Sequence, residues 1–237
     1  EGLALRLYPT SAPGSTVAGW VAQGGAGIGS YEFGWCGDSV VSVRVVTPKG
    51  EVRVFEGEDL DLVYAAEGIT GFITEVTVKV QPRMDLRVMS IAYANPKQLA
   101  TAMYELSDHK LPVWSVVFIN PTMSRLKNQA PEFHWHYEPE HRRVVLPEAY
   151  IVTLAYRAED QPTIDEHLPH LLEGNGGTLL SDEVAQHEWK NRFKLMTVKR
   201  LGPSLVPTEV VVPVDKLQEA IEKINALIDQ PIVKEGI

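Results

Sequence analysis

Valine-rich alternation marks residues 39–48, SVVSVRVVTP, as a strand with one buried face. Lys49 and Gly50 supply a turn signal, and EVRVFEG returns as the second arm of a hairpin. DLDLVYAAEG reads as a short helix that Asp59 or Asp61 caps and Gly68 ends. GFITEVTVKVQP is a further strand, with Phe72, Thr74, Val76, Val78 and Val80 expected on one face and Pro82 as its stop.

Beyond residue 85 strands and helices alternate. LRVMSIAYA is a strand, NPKQLATAMYELSDH a helix with Asn95 as cap and Pro96 in its first position, and PVWSVVFINP a strand. EAYIVTLAYRAE is a strand, QPTIDEHLPHLLEGNGG a helix ended by glycine, and TLLSDE a short strand. EVVVPVDKLQEAIEKINALID adds a strand and an amphipathic helix with Leu217, Ile221, Ile224 and Leu227 as its apolar stripe. This order predicts an α+β chain whose second part is an antiparallel sheet with helices on one face, the ferredoxin-like arrangement. The texture changes near residues 82–86, which divides the chain into 1–84 and 85–237.

One stretch departs from ordinary patterning. STVAGWVAQGGAGIGSYEFG, residues 15–34, interleaves Gly19, Gly24, Gly25, Gly27, Gly29 and Gly34 with alanines and serines. Glycine costs backbone entropy in regular structure, so such a run implies positive φ or something lying directly on the main chain. A flexible loop is the plain alternative, against which STVAGWVA alternates small and bulky residues too regularly. Neither G-x-G-x-x-G nor a phosphate loop ending in Gly-Lys-Ser/Thr is present.

The 237 residues are 44% apolar and 22% charged, enough to bury a sizeable core. A net charge of −9 argues against a nucleic-acid footprint, and an anionic substrate would need locally placed cations. No apolar run reaches the length of a membrane span. The single cysteine, Cys36, rules out an internal disulfide and a cysteine metal cluster, and fits a reducing compartment. A cytoplasmic protein is the expectation, with peripheral membrane attachment left open. The chain opens at Glu1 without methionine and stops at Ile237 just after a helix, which predicts a processed or partial chain.

Three blocks in order, residues 8–34, 40–52 and 67–80, resemble the second half of the FAD-binding domain of the vanillyl-alcohol-oxidase (PCMH-type) superfamily. Within it they are most similar to the glycolate oxidase large subunit and D-lactate dehydrogenase group. Thr16-Val17-Ala18-Gly19 stands for the family's T-I-G-G, Gly24-Gly25 for its G-G pair, and Glu67-Gly68 with Gly71 to Glu75 for its E-G-x-L-G-I-I-T-E strand. The resemblance implies FAD as cofactor, held along Pro9, Ser15, Thr16, Gly19, Ala22, Gly24, Gly25, Gly34, Glu67 and Gly68, with the adenosine end near Ile73. Ser15 and Thr16 would offer hydroxyls to the pyrophosphate, and Gly19, Ala22, Gly24 and Gly25 a flat seat for the ring. Ala18 stands where the family has glycine. The family's earlier R-G-G-G-T phosphate loop has no counterpart here, which implies that a flavin-completing chain or segment supplies it.

Residues 86–230 are similar to the family's cap domain. HEWKNRF, residues 187–193, resembles its W-x-x-R segment, which implies that Arg192 clamps a substrate carboxylate; a surface helix arginine is the other reading. Pro207 stands where some members carry a lysine, with Lys199 and Arg200 nearby as substitutes or as a solvated basic turn. The family's G-H-x-G-D-G-N-x-H stretch is not in this chain, so no catalytic base is assigned. In EFHWHYEPEHRR, His134, His136 and His141 with Glu138 and Glu140 have the look of metal ligands, but the surrounding prolines and charges favour an exposed loop, and no metal is expected. His187 reads as structural.

Three functions are weighed. The first is an FAD-dependent oxidoreductase of a small 2-hydroxy acid, with electrons passing to oxygen, a quinone or an iron–sulfur electron-transfer subunit. The second is a non-catalytic subunit or fragment of a flavoenzyme complex. The third is a same-fold flavoenzyme acting on a sugar or alcohol.

Overall fold

A computed structural model describes residues 2–12, 14–130, 144–202 and 209–228. The chain divides into two compact units. The first comprises residues 1–87, 113–117 and 154–159, and the second comprises 88–112, 118–153 and 160–237.

In the first unit β1 (Leu3–Leu5) precedes two short helices, α1 (Val17–Gln23) and α2 (Ser30–Phe33). Three strands follow, β2 (Val40–Val46), β3 (Val52–Glu56) and β4 (Phe72–Val78), which form a sheet in the order β3-β2-β4. The predicted hairpin is present: Val46 pairs with Val52, Thr47 N donates to Glu51 O over 2.9 Å, and Gly50 takes a φ of 78° in the turn. One side of this sheet buries Val43 and Val45 against Leu7, Trp20, Val21, Cys36, Val40 and Val63.

Two expectations for 71–82 are corrected. The run breaks at Lys79, whose N–H goes to Ser39 O, and β5 (Val80–Pro82) pairs antiparallel with β1 instead of extending β4. The inward face also differs. Arg44 pairs with Glu75 but the next residue, Val45, pairs with Ile73, so Thr74 is an extra residue in a β-bulge. Ile73 and Val76 therefore both pack on the core, while Phe72 is 75% exposed. The bulge reverses the alternation that a continuous strand would have.

The helix expected over 59–68 is corrected as well. A tight 3-10 segment spans Gly57–Leu62 with no side-chain cap, and turns follow. Leu60 and Val63, three apart, both reach the core, a spacing that suits three residues per turn. Ala65 and Glu67 then adopt left-handed backbone at φ 53°, because their N–H groups are committed to another segment.

Beyond residue 85, where the second unit takes most of the chain, a sheet runs in the order β7-β8-β6-β9, where β6 is Leu86–Tyr93, β7 Val113–Ile119, β8 Tyr150–Arg157 and β9 Thr178–Leu179. The first and third strands lie side by side at the centre, as the ferredoxin-like expectation requires, and β9 runs antiparallel to β6. Inside the sheet Ser90 Oγ and Thr153 Oγ1 satisfy each other at 2.8 Å.

The helices of this unit start on readable caps. Asn95 Oδ1 accepts from Gln98 N at the start of α3 (Pro96–Asp108), and Asn120 Oδ1 from Met123 N at the start of α4 (Pro121–Gln129). Leu99, Ala102 and Leu106 bury one stripe of α3. The next helix, α5 (Gln161–Pro169), is shorter than expected and opens into a wide turn at His170–Gly174. Next come α6 (Asp182–Lys190) and α7 (Leu217–Ile228), the latter packed on α3. Of the expected α7 stripe only Ile221 is buried; Ile224 and Leu227 are exposed. No strand forms at 209–213, where Val210 and Val211 are exposed and pair with no strand among the described residues.

Candidate cofactor face and the arginine of the second unit

The side-chain-poor run is a helix between two irregular segments. Thr16 caps α1: its backbone is extended and its Oγ1 accepts from Gly19 N at 3.0 Å. Trp20 and Val21 anchor the inner side of α1, while Ser15, Thr16 and Gly19 are exposed and Ala22 is half-buried.

The glycines are bare for two different reasons. A Cβ on Gly24 would stand 2.8 Å from Ala65 Cβ, one on Gly29 2.6 Å from Trp114 Nε1, and one on Gly27 would overlap the Tyr8 carbonyl beside Pro9. At those three positions the chain itself lies on the main chain. Gly25 is different, with a φ of 98° and nothing within 4 Å of where a Cβ would be. Gly34, with a φ of 72°, is exposed at the end of α2.

The third block of the run's resemblance comes to the same place. Ala65 N donates to Val21 O at 3.1 Å and Glu67 N to Ala22 O at 2.8 Å, so Glu67 and Gly68 sit against the end of α1. The half-buried side chain of Ile73 packs on the sheet core, and its backbone pairs with Val45. Tyr64 was missed by sequence reasoning. Its ring lies on Gly37 and Gly24, and its hydroxyl accepts from Gly25 N at 3.2 Å. The only signal for it was an aromatic residue leading a small-residue turn.

The open part of this surface therefore consists of the Ser15 and Thr16 hydroxyls, Gly19 and Gly25. These residues fit one side of a dinucleotide, since bare backbone and neutral hydroxyls admit phosphates and a flat ring without steric conflict. Cys36, beneath it, is buried, and burial pushes its thiol up to about 12.

In the second unit Arg192 is held between two rings. Its guanidinium lies 4.2 Å from the Trp189 ring centre and 4.4 Å from that of Phe193, and Nη1 donates to Trp189 O at 2.7 Å. One turn earlier, buried Glu188 receives Lys127 Nζ on both oxygens and His187 Nδ1 on one, at 3.1 Å. Burial pushes the Glu188 carboxyl up, but the His187 hydrogen bond and the Lys127 charge outweigh it and hold the group below the usual carboxylate range. Lys199 and Arg200 are exposed on a 3-10 segment. Pro207 and the group His134, His136, Glu138, Glu140 and His141 lie outside the described residues.

Comparison with known proteins matches each end of the chain to a family. Residues 1–56 match the FAD binding domain family, and residues 84–233 match the family described as FAD linked oxidases, C-terminal domain. The chain belongs to the FAD-linked oxidases, a family whose cofactor is FAD. Among curated relatives it is 26% identical over 242 residues to the mitochondrial D-lactate dehydrogenase [cytochrome] of Arabidopsis thaliana, covering 96% of this chain and 41% of that one. It is also 35% identical over 86 residues to the alkyldihydroxyacetonephosphate synthase of Trypanosoma brucei brucei, covering 34% of this chain and 14% of that one. The chain thus spans well under half the length of these relatives. Two structures of alkyldihydroxyacetonephosphate synthase, in different crystal forms, share the fold at 17% identity. Their TM-scores are 0.61 and 0.66, over 81% and 84% of this chain and 40% and 39% of those chains. No described helix is long and apolar enough to cross a membrane.

Proposed function

We propose that this chain is part of an FAD-dependent enzyme that oxidises a small 2-hydroxy acid. The observation that carries the reading is Arg192, a cation held in plane by Trp189 and Phe193, on a chain aligned over 96% of its length with a D-lactate dehydrogenase. A stacked guanidinium is pre-oriented, and its planar fork matches the geometry of a carboxylate. Ser15 and Thr16 donate their hydroxyls to the pyrophosphate, Gly19 and Gly25 leave room for the ring, and the Glu67-Gly68 turn closes the end of α1. When bound, FAD supplies the two-electron acceptor: the substrate Cα–H bond breaks with its electron pair, the hydroxyl loses a proton, and a keto acid forms. Phosphate-bearing substrates are the second reading, favoured by the 35% identity to a synthase named for alkyldihydroxyacetonephosphate.

Arg192→Met in the FAD-loaded protein tests this. For a 2-hydroxy acid kcat/KM should fall at least about 100-fold, chiefly through KM, the loss of a charge-assisted bidentate contact. A variant that retains kcat/KM for lactate or glycolate overturns the carboxylate role.

A further inference from the structure

The two edges of the β3-β2-β4 sheet are not alike. At β4 the Thr74 bulge breaks the ladder, and a bulged edge resists further pairing. At β3 the register with β2 runs without a shift from Ser42–Glu56 to Val46–Val52, and no described strand pairs with its other side. Thr47 N donates to Glu51 O, so the alternation of an antiparallel ladder makes Val46–Val52, Arg44–Val54 and Ser42–Glu56 non-hydrogen-bonded pairs. The N–H and C=O of Val52 and Val54, and the N–H of Glu56, therefore point away from β2.

The side chains along this edge also lack cover. Phe55 packs on the core, so Val52 and Val54 face the other way, and they are 64% and 57% exposed. An antiparallel sheet normally gives water a polar face. Across the ladder, Val46 and Phe72 continue the apolar surface.

The sequence of β3 fits a second β3. Turned antiparallel about Val54, two copies set Val54 against Val54, Val52 against Glu56 and Arg53 against Phe55. The Val54 pair exchanges both hydrogen bonds, and Glu56 N–H of each copy reaches the Val52 carbonyl of the other. Arg53, neutralised by Glu51 of its own copy at 2.6 Å, meets an aromatic ring. The Lys49 turn of each copy arrives beside exposed Glu58 and Asp59 of the other, so opposite charges meet at both ends. A slip of the register toward the turn sets Arg53 against Arg53, which like-charge repulsion disfavours.

We propose that β3 is a self-pairing edge that joins two copies of this chain through one continuous sheet. The two-fold axis passes through the Val54 pair, so the contact closes on itself and stops at a dimer. No residue assigned to flavin or substrate lies on this edge, and the inference stands apart from the proposed function. So short a strand buries far less than the about 800 Å2 per partner of a standard interface, which makes the dimer weak and reversible.

Sedimentation equilibrium of the full chain tests it, with a monomer–dimer Kd expected on the order of 0.1 mM. Val54→Pro removes an outward N–H without touching the bonds to β2, and should weaken the dimer at least about tenfold. Lys49→Glu should weaken it about threefold at low salt. On oxidation Val54→Cys should give a disulfide-linked dimer, whereas Phe72→Cys, exposed two strands away, should not; the native Cys36 is buried. The cross-link carries the test if Val54→Pro does not fold. A chain that stays monomeric at about 0.5 mM overturns the proposal and leaves the edge to a strand of a different protein. Species larger than a dimer, an unchanged Kd in folded Val54→Pro, or cross-linking of Phe72→Cys as readily as Val54→Cys overturn it too.

Discussion

The two units build their candidate chemistry from opposite materials. In the first, the surface around residues 14–25 is main chain and hydroxyl, and its shape comes from backbone hydrogen bonds such as Glu67 N to Ala22 O. In the second, Arg192, Lys127 and Glu188 are charged side chains held by rings, by an ion pair and by a hydrogen bond with His187. A large planar cofactor needs a surface without side chains, whereas a small charged substrate needs a side chain at one point. The first unit should therefore be sensitive to added atoms and the second to lost charges.

The largest effect should come from Lys127→Met, which leaves Glu188 buried with its charge uncompensated. About 4 kcal/mol of stability should be lost at neutral pH, and most of it recovered in Lys127→Met with Glu188→Gln. Urea unfolding measures both, and a single variant within 1 kcal/mol of the wild type (about one surface pair) would show the pair to be solvated. The pH dependence has a definite sign. Glu188 is lowered from 4.5 in the folded chain, so its contribution is present above pH 4.5 and is lost as pH falls through the lower folded value. Glu188→Gln should flatten that part of the acid limb.

Gly27→Ala comes next. Its new methyl meets the Tyr8 carbonyl, which is backbone and cannot swing away, so about 3 kcal/mol should be lost. The smallest effect has the opposite sign. Glu67 sits at a φ of 53° and is exposed, so Glu67→Gly should relieve the left-handed strain and raise stability by about 0.5 kcal/mol after its unfolded-state entropy cost. A loss of more than about 1 kcal/mol there would mean that the Glu67 side chain itself supports the turn.

Local signals carried most of the fold. The Lys49-Gly50 turn, the Asn95-Pro96 cap and the strand–helix order beyond residue 85 each specify structure from neighbouring residues, and each appears. What escaped depends on distant partners. The bulge at Thr74 exists because β4 must pair with β2 while Ile73 and Val76 both reach the core, and no period within 71–82 contains that demand. Tyr64 meets Gly25 across 39 residues. In the glycine run, the residue types marked a close approach but not its source: Gly24, Gly27 and Gly29 make way for the chain itself, and only Gly25 and its exposed neighbours stay open. Trp189, Arg192 and Phe193 meet because they are close in sequence, whereas Lys127 reaches Glu188 from α4 and left no local signal.

Hydrogen exchange with and without saturating FAD tests the central claim most directly. If the open part of the glycine run is the flavin face, amides of residues 14–19 slow on FAD binding while those of β3, Val52–Glu56, keep their rates. FAD bound, with residues 14–19 exchanging as fast as before, would contradict it.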